Sequence, residues 1–162
     1  MKINKLFQNG TIEYKAKKFY DSKKVRRLRR YNHPIVREHV IYKINFIKKY
    51  IKLTPKTRVL EVGAGNGYFS YYLSDSCNLL VTDVNKETLL LNPVKEKIIA
   101  DANKTPFKDN SFDVVICIDI LHHVDNPDKV INEIIRVSKK YIVIMDANSN
   151  SIFTLLFAFF PR

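Results

Sequence analysis

Apolar and polar positions follow one another along this chain in blocks whose period changes repeatedly. Val36, Val40, Ile44, Ile47 and Ile51 recur at spacings of four, four, three and four. That is one face of a helix. Pro34 opens it, and Thr54–Pro55 closes it, because a residue before proline leaves the helical region. TRVLEV (57–62), NLLVTDV (78–84), EKIIAD (96–101), FDVVICID (112–119) and KKYIVIMD (139–146) read as strands. Between them lie a helix start at Gly67–Ser74, a short helix at Lys86–Leu91 stopped by Asn92–Pro93, and a helix at Asp128–Ser138. The last has Val130, Ile131, Ile134, Ile135 and Val137 as its apolar side. Further helices are expected at Tyr14–Leu28 and, strongly apolar, at Ser149–Phe160. Strands separated by helices make an α/β protein with a doubly wound, mostly parallel sheet. Nearly continuous apolar strands fit a sheet covered on both faces.

Composition narrows this picture only a little. At 162 residues, 46% hydrophobic and 27% charged, the chain is globular and holds one domain. Its longest apolar run, Ile152–Phe160, is nine residues, well short of the roughly 20 needed to cross a bilayer. The start, MKINKLFQNG, has no apolar h-region, so no secretory signal is readable. Cys77 and Cys117 have no metal-site spacing and read as free thiols of a cytoplasmic protein.

Charge changes the picture more. Residues 1–60 carry 18 Lys and Arg against three acids, a net of +15, whereas residues 61–162 carry 10 against 13, a net of −3. The excess belongs to residues 1–55, read as a basic helical extension or lid on a domain spanning 56–162. Its densest part is Lys23–Arg30, followed by Tyr31–Asn32–His33, which is placed to close over a pocket. Such an arm suits an anionic partner: a phosphorylated acceptor, a lipid surface or nucleic acid. A plain solvated face is the alternative. The aromatics form no regular stacking platform, so RNA fits less well than a small or lipid-linked acceptor.

The chemistry concentrates at VLEVGAGNGYFS (59–70). Three glycines directly after a strand suggest that something approaches the backbone closely. The helix beginning there aims free N–H groups at it. The spacing G-A-G-N-G places Tyr68 where a dinucleotide fingerprint needs its third glycine. Glu61 would repel a pyrophosphate but suits a cationic amino group. Asp83 ends the second strand, where a carboxylate holds ribose hydroxyls. Asp101 ends the third, within reach of an adenine amine. Together these acids suit a ligand with an adenosine and an amino acid. Asp113 begins the fourth strand and reads as structural.

These segments, with IIADANKTPFKDNSFDVVICIDILHHV and the helix–strand pair after it, resemble the class I S-adenosylmethionine-dependent methyltransferases over about 57–148. Within them the chain is most similar to the type 11 small-molecule group. The resemblance implies S-adenosyl-L-methionine as cofactor. It puts Gly63, Ala64, Gly65 and Gly67 around the methionine part, with Glu61 behind. It puts Asp83 and Val84 at the ribose, Asp101 and Ala102 beside the adenine, and Ile118 to Leu121 as the floor. Methyl transfer to a small-molecule, lipid- or glycan-type acceptor follows as the expected function. An RNA methyltransferase, and a scaffold that binds the cofactor without turnover, are the alternatives. Asp119, His122 and His123 stand at the right strand end for a general base, with His122 ranked first. No metal is expected, since adjacent histidines diverge by about 100° on a helix. That fold usually has seven strands, and five are readable here. A minimal or shortened domain with an exposed edge at 139–146 is therefore expected, with dimerisation or peripheral membrane contact as its consequence.

Overall fold

Runs such as VVICI need cover on both sides, and the chain supplies it by returning through helices. The computed structural model describes residues 34–146. In it the runs become β1 (Arg58–Val62), β2 (Asn78–Asp83), β3 (Lys97–Ile99), β4 (Phe112–Ile118) and β5 (Ser138–Met145). The sheet order is β3-β2-β1-β4-β5, and every neighbouring pair is parallel. The chain therefore builds outward from β1 to β3, then returns to β1's other side. The topological switch lies between β1 and β4.

The helical stripe holds. It forms α1 (Pro34–Tyr50), and Val40, Ile44, Ile47 and the following Ile51 are buried against the sheet. They share one core with Val59, Val81, Val114, Ile116 and Val143. α2 (Tyr68–Leu73) packs on the same face through Phe69 and Leu73. α3 (Lys86–Leu90) follows β2, its first turn capped by the Asn85 side chain, which accepts from the Glu87 and Thr88 N–H groups. α4 (Pro127–Val137) covers the opposite face, where Val130, Ile134 and Val137 meet Leu60, Leu80, Phe107 and Val115. Cys77 and Cys117 are free and buried.

Two expectations are corrected. The third strand covers only Lys97–Ile99, and Asp101 makes just an isolated bridge with Lys104. On α4, Ile135 is 54% exposed while Glu133 is buried. Glu133 Oε1 accepts from the Thr105 backbone N–H (2.7 Å) and hydroxyl, and Arg136 donates to both its oxygens. The polar residue displaces an isoleucine because the loop before β4 brings it partners. Asp113, as expected, is structural: it accepts from the Arg58 N–H at 2.9 Å, joining the starts of β1 and β4.

β5 is one of the two edges of the sheet among the described residues, with Tyr141, Ile142 and Ile144 exposed. The basic run Lys23–Arg30, the Tyr14–Leu28 and Ser149–Phe160 helices, and Tyr31–Asn32–His33 lie outside the described residues. No described helix is long and apolar enough to cross a membrane.

Candidate functional site

A parallel sheet offers ligands the crevice at its strands' carboxyl ends, at the switch point. Here the glycine loop occupies that place, and its three glycines turn out to serve different purposes. All have positive φ, at 70°, 50° and 91° for Gly63, Gly65 and Gly67. A Cβ on Gly63 would come within 2.2 Å of Ile120, in the turn after β4. A Cβ on Gly67 would strike Pro93 at 2.6 Å and Asn92 at 2.9 Å. At those two glycines the absent side chain makes room for protein atoms. Only at Gly65 does the backbone face open space, its nearest neighbour Asp83 Oδ2 at 3.9 Å. Ala64, between them, is buried and donates its N–H to the Thr82 carbonyl at 2.8 Å, tying the loop to β2.

Each strand end carries an acid: Glu61, Asp83, Asp101, Asp119 and Asp146. Their surroundings differ. Asp83 accepts from the Gly65 N–H (2.8 Å) and the Asn85 N–H (2.7 Å). Burial raises its pKa, and the N–H groups of Asn85, Gly65 and Val84 offset that only in part. Glu61 is 2% exposed and accepts from the Ser70 hydroxyl at 2.7 Å. Ser70 in turn accepts from Asn92, whose amide also reaches the Gly65 carbonyl. Burial pushes the Glu61 carboxyl up to about 8; the Ser70 hydrogen bond opposes this, and the charge of Asp83 adds to it. The described residues give Glu61 no cationic partner within salt-bridge distance.

Asp101 spends Oδ1 on its own turn, accepting from the Asn103 backbone and side chain. Ala102 beside it is half-buried against the α4-side core. Ile118 is buried in the core that also holds Ala64 of the glycine loop, and Ile120 stands against Gly63. Asp119 adopts a left-handed φ of 56° and receives Lys43 Nζ of α1 on both oxygens, at 2.7 and 2.8 Å. Both oxygens of Asp119 thus face an ammonium of α1. Asp146, just past β5, holds the turn Leu121–His123 with both oxygens. It accepts from the Leu121 N–H at 2.6 Å and lies 2.5 Å from His122 Nδ1. His122 remains solvent-accessible, and its ring lies beside that of His123.

Sequence reasoning missed Ser70, Asn92, Lys43 and Asp146. One signal was available for the last. TD, AD, ID and MD each end a strand with aspartate, and the IMD of β5 continues that series.

The methyltransferase domain model matches residues 60–144, more than half of the chain. The chain belongs to this family. S-adenosyl-L-methionine is the cofactor of such methyltransferase domains. A protein of Methanocaldococcus jannaschii with no assigned function is 35% identical over 118 residues, covering 71% of this chain and 52% of its own. A phosphatidylethanolamine N-methyltransferase of Cereibacter sphaeroides is 33% identical, over 51% of this chain and 46% of its own. This methyltransferase domain thus spans about half the length of such relatives. A solved S-adenosylmethionine-dependent methyltransferase of Aquifex aeolicus shares the fold, with a TM-score of 0.65 at 23% identity over 82% of this chain and 78% of that one.

The residues present fit the cofactor. Gly65 leaves an open cradle, and Asp83 borders it with a carboxylate. Glu61 is a buried acid kept protonated by desolvation, and a cation beside it would stabilise its charged form.

Proposed function

We propose that this domain transfers a methyl group from S-adenosyl-L-methionine to a small-molecule or lipid-linked acceptor, at an atom that gives up a proton to His122. The observation that carries the reading is the contact of His122 Nδ1 with Asp146. An Nδ1–H donating to that carboxylate fixes the tautomer and leaves the Nε2 lone pair as proton acceptor. The Leu121 N–H on the other oxygen holds Asp146 in place, so the ring's direction is set by β5. When His122 takes the proton, the imidazolium keeps its carboxylate partner. When bound, the cofactor supplies an electrophilic methyl on a positively charged sulfur. Glu61 is assigned to its amino group, the Gly63–Gly67 loop to its methionine part, Asp83 and Val84 to the ribose. Asp101 and Ala102 border the adenine, Asp101 through the oxygen not used in its turn. The strand-end acids Glu61 and Asp83, which meet only neutral donors, favour a cationic ligand over a dinucleotide. The lipid-linked acceptor is supported by the relative named for phosphatidylethanolamine and by the basic residues 1–55.

The test has two parts. Calorimetry should show S-adenosylhomocysteine binding to the wild type and to His122→Gln alike. Transfer of labelled methyl into a lipid extract should then fall about 10²–10⁴-fold in His122→Gln, the usual contribution of a general base. Asp146→Asn should show a smaller fall. Absent binding overturns the methyltransferase assignment; wild-type transfer by His122→Gln overturns the role of the histidine.

A further inference from the structure

Behind the glycine loop a file of buried polar side chains ends on Glu61. Ser70 of α2 and Asn92, in the turn after α3, are buried with it. Such side chains are costly unless their hydrogen bonds are made. Here the direction of every bond in the file follows from its starting point. The Val94 N–H is a donor only, so the Asn92 atom it meets at 3.0 Å is the carbonyl oxygen, Oδ1. The amide nitrogen therefore turns the other way. It donates to Ser70 Oγ at 2.9 Å and to the Gly65 carbonyl at 3.4 Å. Ser70 Oγ accepts there, and its one proton is left for Glu61 Oε2, at 2.7 Å. Lys97 donates to the Asn92 backbone carbonyl, and Asn92 and Pro93 crowd against Gly67, so the turn that starts the file is held.

A backbone N–H in one turn thus settles which oxygen of Glu61 is taken. Oε2 is engaged, and among the described residues no hydrogen bond reaches Oε1. The titratable groups around Glu61 are few. Asp83, at the end of β2, adds negative charge. The thiols of Cys77, before β2, and Cys117, in β4, are neutral near pH 7, since burial pushes both up to about 12. Lys48 of α1 acts on Cys77, and Lys97 is engaged at Asn92.

We propose that Ser70 and Asn92 are positioning residues for the amino-acid end of the cofactor: they commit Glu61 Oε2 to the protein and reserve Oε1 for the ligand's ammonium group. The proposal rests on the assignment of Glu61 to that group. In the empty site the proton of Glu61 sits on Oε1, the oxygen that Ser70 leaves alone. The arriving ammonium takes that place and donates a charge-assisted hydrogen bond to Oε1, while the displaced proton goes to solvent. The Ser70 hydroxyl then supports the anion that results, and it already opposes the rise that burial imposes on Glu61. Asn92 keeps that hydroxyl from turning around, because an amide N–H cannot accept. Its second bond, to the Gly65 carbonyl, ties the same turn to the open part of the loop. A file that only braced α2 against the loop would support folding and leave the proton balance of binding unaltered. The assignment does not depend on the reaction given to His122.

The experiment titrates the full chain with S-adenosylhomocysteine and with methylthioadenosine, which keeps the adenosine and the thioether but has no amino group. Calorimetry covers the window from 4.5 to about 8 in buffers of different ionisation heat, so that proton release is counted. Ser70→Ala removes the donor to Glu61. Asn92→Asp keeps the oxygen that faces Val94 and turns the donor to Ser70 into an acceptor, so it decides the matter if Ser70→Ala folds poorly. In the wild type, affinity for S-adenosylhomocysteine should rise with pH and binding should release protons, while methylthioadenosine binding stays level. Ser70→Ala should move the S-adenosylhomocysteine profile up by about one pH unit, roughly a tenfold loss near neutral pH, and leave methylthioadenosine unaffected. Asn92→Asp should move it in the same direction. In a Glu61→Gln background the profile should be flat and Ser70→Ala should move nothing. Variants that keep the wild-type midpoint, or that lose both ligands equally, overturn the positioning role. A wild type that binds neither ligand overturns the cofactor assignment beneath it.

Discussion

Glu61 and Asp83, at the carboxyl edge of the sheet, and Glu133 and Asp113, away from it, keep opposite company. Burial alone would raise Glu133, yet hydrogen bonds from Arg136 and Thr105 hold it below the ordinary glutamate range. Asp113 is likewise lowered, because the Arg58 N–H and guanidinium and the nearby Lys139 outweigh its desolvation. Glu61 and Asp83 meet only neutral donors, and burial pushes both up. Desolvation raises all four, most at Glu61 and Asp83, and only Glu133 and Asp113 have cations to oppose it. One region satisfies its own charges and stabilises the fold. The other leaves two acids without a cation where a positively charged ligand is expected.

The largest expected effect comes from breaking the self-sufficient side. Glu133→Ala strands Arg136 and the Thr105 N–H and should lower stability by about 3 kcal/mol in urea denaturation. Affinity for S-adenosylhomocysteine per folded molecule should not change. On the other side the pattern inverts. Asp83→Ala should weaken S-adenosylhomocysteine binding by about 1.5–3 kcal/mol in calorimetry, with a smaller loss of stability. If the two variants exchange these signatures, the contrast between the regions fails.

Glu61→Gln sharpens the contrast through pH. The folded protein holds a proton on Glu61 up to about 8, against 4.5 ordinarily. Between those values the unfolded chain has released that proton and the folded one has not. Stability therefore falls as pH rises through this window, and the penalty is complete near pH 8. Glu61→Gln should flatten this decline in denaturation midpoints. Ligand affinity of the wild type should rise with pH over the same range, and that of the variant should not. Equal slopes for the two proteins would remove Glu61 as the group awaiting a cation.

The smallest effect is expected at Gly65. Its Cβ would meet open space, so Gly65→Ala should cost only the left-handed backbone, about 1 kcal/mol. Gly67→Ala adds a clash with Pro93 and should unfold at clearly lower temperature. Thermal melts that rank these two in the other order would contradict the division of labour within the loop.

Much of this architecture was legible in the chain. The five strands emerged within one or two residues of their bounds, because runs such as NLLVTD have one stable use in a covered sheet. The stripe of α1 did too. What periodicity could not show was which polar side chain on an apolar face finds a partner from afar. Glu133 is buried because Thr105 lies 28 residues upstream. Asp146 matters because it meets a turn 24 residues earlier. The spacing of the glycines could not show that Ile120, Asn92 and Pro93 crowd against two of them, because those residues come from distant turns.

The order of the strands carries a kinetic consequence. Arg58 pairs with Asn78, twenty positions on, whereas Val59 pairs with Val114, fifty-five positions on. The nearer pairing closes a short loop and the farther a long one, so a refolding chain completes the β1–β4 seam late. The contact of Gly63 with Ile120 lies across that seam. A chain with only β1, β2 and β3 assembled has most of the glycine loop and Asp83, yet lacks the wall that makes them a crevice. Ligand capture during refolding should then lag behind the gain of secondary structure, and its onset marks the moment when the two halves of the sheet meet.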